Sequence, residues 1–146
     1  MKKKELYAVA SVKAFIEHDG KVLILRESKK YSGGTNHGLY VMPGGKVNEG
    51  EHFLEALRRE IKEECGLISK IKIGRPFHVD EWYVSVPGKP RQIVGTYFHC
   101  TCLKPDIVMN SEFDEYKWIN PGSYRRYPLN DAAKRAFKAF NGLDKR

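Results

Sequence analysis

Between Pro43 and Gly66 the chain places a glycine turn, Gly44-Gly45, ahead of a helical stretch carrying Glu60, Glu63 and Glu64, and no other feature narrows its fold and chemistry as much. From Glu51 to Cys65 the apolar residues Leu54, Leu57, Ile61 and Cys65 fall on one stripe, the pattern of a helix with one face on a core. Gly66 follows as the stop, because glycine accepts the left-handed C-cap conformation. At about 100° per residue, Glu60 and Glu64 stack one turn apart and Glu63 flanks them, so three carboxylates share a patch. Like charges at this spacing destabilise a helix by about 0.2–0.5 kcal/mol, and the macrodipole opposes negative charge near a helix C-terminus. A divalent cation reverses the sign of both penalties, and hard carboxylate oxygens suit Mg2+ or Mn2+. Taken alone, the glutamates fit equally well on a solvated face, with Glu55, Arg59 and Glu63 as an ion-pair ladder. The residues before the helix tip the balance. The glycine turn lets backbone approach a ligand closely, and Glu51 stands where the helix begins, which together describe a compact site for a metal and a phosphate.

The rest of the chain supplies an α/β frame for that site. Leu6, Ala8, Ala10, Val12, Ala14 and Ile16 recur every second position, as in a half-buried strand. His18-Asp19-Gly20 predicts a tight hairpin turn into a second strand over Val22 to Leu25. Lys29 to Gly38 is polar and glycine-containing and reads as a mobile loop, with a short strand from Leu39 to Met42 behind it and a tight turn at Pro43-Gly44-Gly45. Ile68 to Ile73, Phe77 to Val86 and Arg91 to Leu103 read as extended segments, the last two separated by a hairpin loop at Pro87-Gly88-Lys89-Pro90. Glu115 to Ile119 predicts a final strand, and Asn130-Asp131 caps a last helix whose Ala133, Ala136, Phe137 and Phe140 form an apolar face ending at Asn141-Gly142. A mixed sheet between helices is the architecture these elements imply, in one domain spanning 1–146.

The run from Gly45 to Leu67 resembles the Nudix box, G-x5-E-x7-R-E-U-x-E-E-x-G-U with U a bulky aliphatic residue. Gly45, Glu51, Arg59, Glu60, Glu63, Glu64 and Gly66 meet its fixed positions, with Ile61 and Leu67 at the aliphatic ones. Lys21 to Arg26, Val41 to Gly45, and Glu112, Glu115 and Trp118 are similar to flanking parts of the same MutT-like family. The resemblance implies the Nudix α/β/α sandwich with a mixed β-sheet between helices. It also implies a metal-dependent pyrophosphohydrolase that cleaves a phosphoanhydride in a nucleoside diphosphate linked to a group X. Carried onto these residues, it makes Glu60 and Glu64 metal ligands, with Glu63, Glu51 and the Gly44 carbonyl as further ligands. Arg59 is the structural ion pair. The catalytic residues are Glu63, Glu64 and Glu112, with Glu115 and Asp114 as other candidates for the base. Mg2+ is the expected cofactor, with Mn2+ as substitute. Arg26 and Arg91 are candidates for phosphate and Trp82 and Tyr83 for a nucleobase, on chemistry alone.

Composition bounds the partners. The formal net charge of +8 suggests affinity for anions, yet the lysines and arginines are spread along the chain, which favours a small nucleotide-type substrate over a nucleic-acid groove. No stretch reads as a signal peptide or a membrane span, so the expected location is the cytoplasm, and the sequence leaves a homodimer open. The three cysteines, Cys65, Cys100 and Cys102, read as reduced thiols in or near a core, and the five histidines show no ligand spacing, with His52 at the surface. Two alternatives stand beside the main reading: a house-cleaning nucleoside triphosphate pyrophosphatase, and a nucleotide- or RNA-binding module without catalysis. The complete set of Glu60, Glu63 and Glu64 argues against the second, since a pure binder has no need of all three.

Overall fold

Two helices cover the two faces of a single mixed sheet in this computed structural model, which describes residues 7–66, 70–86 and 89–143. The strands are β1 (Tyr7–His18), β2 (Lys21–Glu27), β3 (Tyr40–Val41), β4 (Gly44–Lys46), β5 (Ile71–Val86), β6 (Lys89–Cys102) and β7 (Phe113–Ile119). The helices are α1 (Phe53–Cys65) and α2 (Asp131–Asn141), with a 3-10 helix over Pro121–Arg126 that the sequence reading did not foresee. Period two along the strands sorts the core. Val12, Ala14, Ile16, Leu23, Leu25, Phe98 and Cys100 pack with Leu57 and Ile61 of α1, while Phe15, Val22, Ile24 and Tyr97 pack with Ala133, Ala136 and Phe137 of α2.

The middle of the sheet is what positions the site. β1 runs parallel to β6 from Tyr7 to Glu17, and its other edge is divided between two antiparallel neighbours. β2 pairs with it only at Glu17 and His18, next to the turn where Asp19 (φ 50°) and Gly20 (φ 75°) take the left-handed pair that a two-residue hairpin needs. β4 takes Ser11 to Lys13, and between the two the Ala14 amide donates to the Pro43 carbonyl at 2.8 Å. Gly44 and Gly45 are therefore strand residues and not the tight turn expected. Gly44, at φ 133°, lies so close to the β1 backbone at Val12 that no side chain fits.

Other departures have local causes. Ala8 and Ala10 are exposed although they continue the alternation of Val12, Ala14 and Ile16, because α1, at about 20 Å long, covers only part of the sheet face. The two extended segments around Pro76 are one strand, β5, with register shifts between Ile73 and His78 where proline withdraws an N–H from the ladder. Lys89 and Pro90 belong to β6, whereas Pro87 and Gly88, like Leu6, Leu67 and Ile68, lie outside the described residues. The loop before β3 is tied down: the Asn36 amide donates to Glu27 Oε1 at 2.7 Å, and Asn130 Nδ2 donates to Asn36 Oδ1 at 3.2 Å. His52 is exposed but has a job, capping α1 by accepting from the Leu54 amide at 3.2 Å. The three cysteines are free and buried. No helix among the described residues is long and apolar enough to cross a membrane.

Candidate active site

α1 delivers its glutamates to three different environments. Glu64 is 4% exposed, on the same side of the helix as Leu57 and Ile61, and its Oε1 accepts from the Gly44 amide at 2.7 Å. Glu60 is mostly buried against Gly45, where any Cβ would press on its carboxylate, so the glycine is required for Glu60 to sit there. Glu63 is half exposed.

Arg59 joins the helix to the loop before it. Its Nε donates to Glu51 Oε2 at 2.8 Å, its Nη2 to Glu51 Oε1 at 3.0 Å and to the Lys46 carbonyl at 3.1 Å, and its Nη1 to Glu60 Oε1 at 3.0 Å. Glu63 Oε2 is 3.6 Å from the same guanidinium. This is a bidentate clamp on Glu51, a geometry that lysine cannot reproduce. It holds the Glu51 carboxyl down at about 2, first through the Arg59 hydrogen bonds and then through the Asn48 amide.

A second set of carboxylates goes the other way. Burial pushes Glu64 up to about 8, against the pull of Lys13 and the Gly44 amide, with Glu60 and Glu112 raising it further. Burial also raises Glu60 despite Arg59, and raises Glu112, whose neighbours Glu60, Glu63 and Glu27 add to the effect. Glu27 itself is buried at the end of β2. Lys13 reaches this group from β1, its Nζ 3.5 Å from the Gly44 carbonyl.

A cavity of about 130 Å³ opens where the edge of β1 is divided, lined by Glu27, Glu64 and Glu112 together with Met42, Trp82 and Tyr97. Among the described residues, no three His, Cys, Asp or Glu side chains are placed as they stand to hold a metal ion. Arg59 occupies Glu51 and part of Glu60, and the Gly44 amide occupies one oxygen of Glu64. The donor set nevertheless fits a hard divalent cation: carboxylate oxygens that raise one another's pKa in a partly buried place are a site short of positive charge.

The remaining sequence candidates separate. Trp82 reaches the cavity, packed across Gly95. Tyr83, next along β5, is 66% exposed. Arg26 is held by Asp114 at 2.7 Å and Glu115 at 2.6 Å, which also engages two of the three acids outside the box considered as bases. Glu115 accepts from the Tyr40 hydroxyl at 2.9 Å as well, and its carboxyl is lowered, most by that bond. Arg91 lines a separate hollow beside Lys46, Val47 and Glu49. The sequence reading missed Lys13, Glu27, Asn36 and Asn130, all of which line the cavity. A signal existed for Glu27, which continues the period of Leu23 and Leu25 onto a buried face.

An α/β sandwich with its acids gathered along a glycine-preceded helix defines a class, the Nudix hydrolases. The NUDIX domain model matches residues 7–140, and the chain belongs to that family, whose members hydrolyse phosphoanhydride bonds with divalent metal ions. The chain is similar to the nucleoside triphosphatase NudI of Salmonella arizonae, at 32% identity over 84% of this chain and 89% of the relative. For the NudI of Salmonella paratyphi B the identity is 34%, over 88% and 92%. Among solved structures, the MutT protein from Methanosarcina mazei Go1 matches with a TM-score of 0.82 and 27% identity, covering 99% of this chain and all of that one.

Proposed function

We propose that the chain hydrolyses a nucleoside triphosphate, a nucleoside diphosphate whose group X is phosphate, to the monophosphate and pyrophosphate, with Mg2+ as the working ion and Mn2+ as substitute. The observation that carries this reading is the burial of Glu64 among Glu60 and Glu112, a group of acids with too little positive charge around it. The similarity to the NudI triphosphatases supports the substrate class.

In this reading Glu60 and Glu64 hold the ion, with Glu63, Glu51 and the Gly44 carbonyl as further ligands. The bound ion supplies Lewis acidity at the phosphates and acidifies water beside them. Glu112 takes the proton of the attacking water, its carboxyl raised by burial and by the neighbouring Glu60. Glu63, more exposed, is the second candidate for that task. The water oxygen bonds to a phosphorus of the α,β-anhydride as the bond from that phosphorus to the bridging oxygen breaks, and the bridging oxygen keeps the electron pair. Arg59 keeps the Lys46–Glu51 loop against the helix, so that Glu60 and Gly44 stay aligned. Trp82 offers the cavity a face on which a base can stack.

The test is hydrolysis of a panel of nucleoside triphosphates and nucleoside diphosphate sugars, with Mg2+, with Mn2+ and with a chelator. Release of monophosphate and pyrophosphate from at least one triphosphate, stopped by the chelator, is expected. No turnover of any triphosphate with either metal would overturn the proposal.

A further inference from the structure

The acids of the site raise a question of charge that they do not answer themselves. A triphosphate carries several negative charges into a place already crowded with Glu27, Glu60, Glu64 and Glu112, and bound cations offset only part of that repulsion. The phosphates far from the nucleoside need surroundings of the opposite sign. The acids share their cavity with Met42, Trp82 and Tyr97, apolar surface that suits a base. Beyond Ser28 there is a second hollow, of about 530 Å³, lined by Arg26, Ser28, Lys29, Lys30, Gly38 and Asp114.

This second hollow is fastened to the site. The Ser28 amide donates to the Glu112 carbonyl at 2.8 Å, and the Gly38 amide donates to the Glu27 carbonyl at 2.9 Å, so the loop from Ser28 to Gly38 begins and ends on residues of the acid group. The Ser28 hydroxyl accepts from the Lys30 amide at 3.2 Å, and the Ser28 carbonyl accepts from the Tyr31 amide at 3.1 Å, which together shape the first turn of the loop. The Tyr31 phenol is raised, most by Glu112 and then by burial and Glu27. The cations differ in what they are free to do. Arg26 is committed to Asp114 and Glu115. Lys29 and Lys30 are exposed, and among the described residues neither has an acidic partner within 4.0 Å.

We propose that the hollow at Lys29 and Lys30 receives the terminal phosphates of the substrate, so that the two amines set a preference for an anionic group beyond the second phosphate. This rests on the triphosphatase reading, and it makes Lys29 and Lys30 specificity-determining residues for that reaction. An uncharged sugar in the same place gains nothing from two ammonium groups, whereas a phosphate gains charge-assisted hydrogen bonds from both.

Calorimetric binding of pyrophosphate in the presence of Mg2+ tests the hollow without requiring turnover. The double variant Lys29→Ala/Lys30→Ala should bind pyrophosphate about tenfold more weakly than the wild-type chain, and Lys29→Arg/Lys30→Arg should restore most of the loss. In steady-state kinetics the alanine variant should raise KM for the triphosphate about tenfold while KM for a nucleoside diphosphate hexose stays within about twofold. Pyrophosphate binding unchanged by the alanine pair, or equal rises in KM for both substrates, would overturn the inference. If the wild-type chain turns over no nucleotide yet loses pyrophosphate binding with the two lysines, the hollow stands and the triphosphatase reading falls.

Discussion

Glu51, which Arg59 holds, and Glu64 belong to one helix and its approach, yet their surroundings drive them in opposite directions. Glu51 has a guanidinium in bidentate contact and sits far below the ordinary range of a carboxyl. Glu64 has an amide, a distant lysine and burial, and sits far above it. Glu60 stands on the border, touched by Arg59 and still raised. The contrast teaches that the clustering of glutamates alone did not decide their roles. What decides is which acids the fold supplies with a cation of its own and which it leaves short of one. The same division recurs at the next acidic segment, where Asp114 and Glu115 are taken by Arg26 and Glu112 is not.

Substitutions on the two sides should separate them. The largest effect is expected from Glu64→Gln, which keeps shape and an acceptor for the Gly44 amide but removes the charge; metal-dependent kcat should fall about a thousandfold or more, with the circular dichroism spectrum unchanged. Near-normal turnover would remove Glu64 from the ion's ligands. Arg59→Ala should cost less activity, about 10–100-fold, because it acts on the position of Glu51 and Glu60. Unlike Glu64→Gln, it should also lower stability by about 1–2 kcal/mol in urea unfolding. Gly45→Ala places a methyl against Glu60 and should reduce kcat about tenfold with little change in melting temperature, and an unaffected kcat would show that the location of Glu60 is not critical. Asp114→Asn, on the paired side of the acidic segment, should leave kcat within about twofold of wild type, its effect falling on KM through the hollow it lines. A loss as large as that from Glu112→Gln would erase the distinction between the two acids.

The box was legible because its information is local. Helix period, a glycine stop and fixed spacing place Glu60, Glu63, Glu64 and Arg59 without any long-range knowledge, and the resemblance to the family adds the order of parts. The sandwich was legible for a similar reason, since Ala14 and Ile16, or Leu23 and Leu25, declare a buried face by alternation alone. What could not be read is set by strand pairing across the chain. Arg26 is ion-paired with Asp114 and Glu115 because β2 and β7 pair Arg26 directly with Glu115, 89 positions away by the numbering. Lys13 meets Gly44 only because β4 takes part of the β1 edge that β2 leaves free. The exposure of Ala8 and Ala10 likewise depends on how far α1 extends over the sheet, which no alternation encodes.

Burial leaves Glu64 a carboxyl short of a cation, and the melting temperature of the chain against pH reads that out. A carboxyl raised to about 8 in the fold stays protonated while its unfolded counterpart ionises from about 4.5 upward. Its contribution to stability is therefore present at low pH and is lost as pH climbs through that window. The metal-free wild-type chain should melt at progressively lower temperature from about pH 4.5 to 8. Glu64→Gln should flatten the fall, and Mg2+ or Mn2+ at pH 8 should raise the melting temperature of the wild type but not of the variant. Parallel pH curves for the two chains, with equal stabilisation by metal, would contradict the claim.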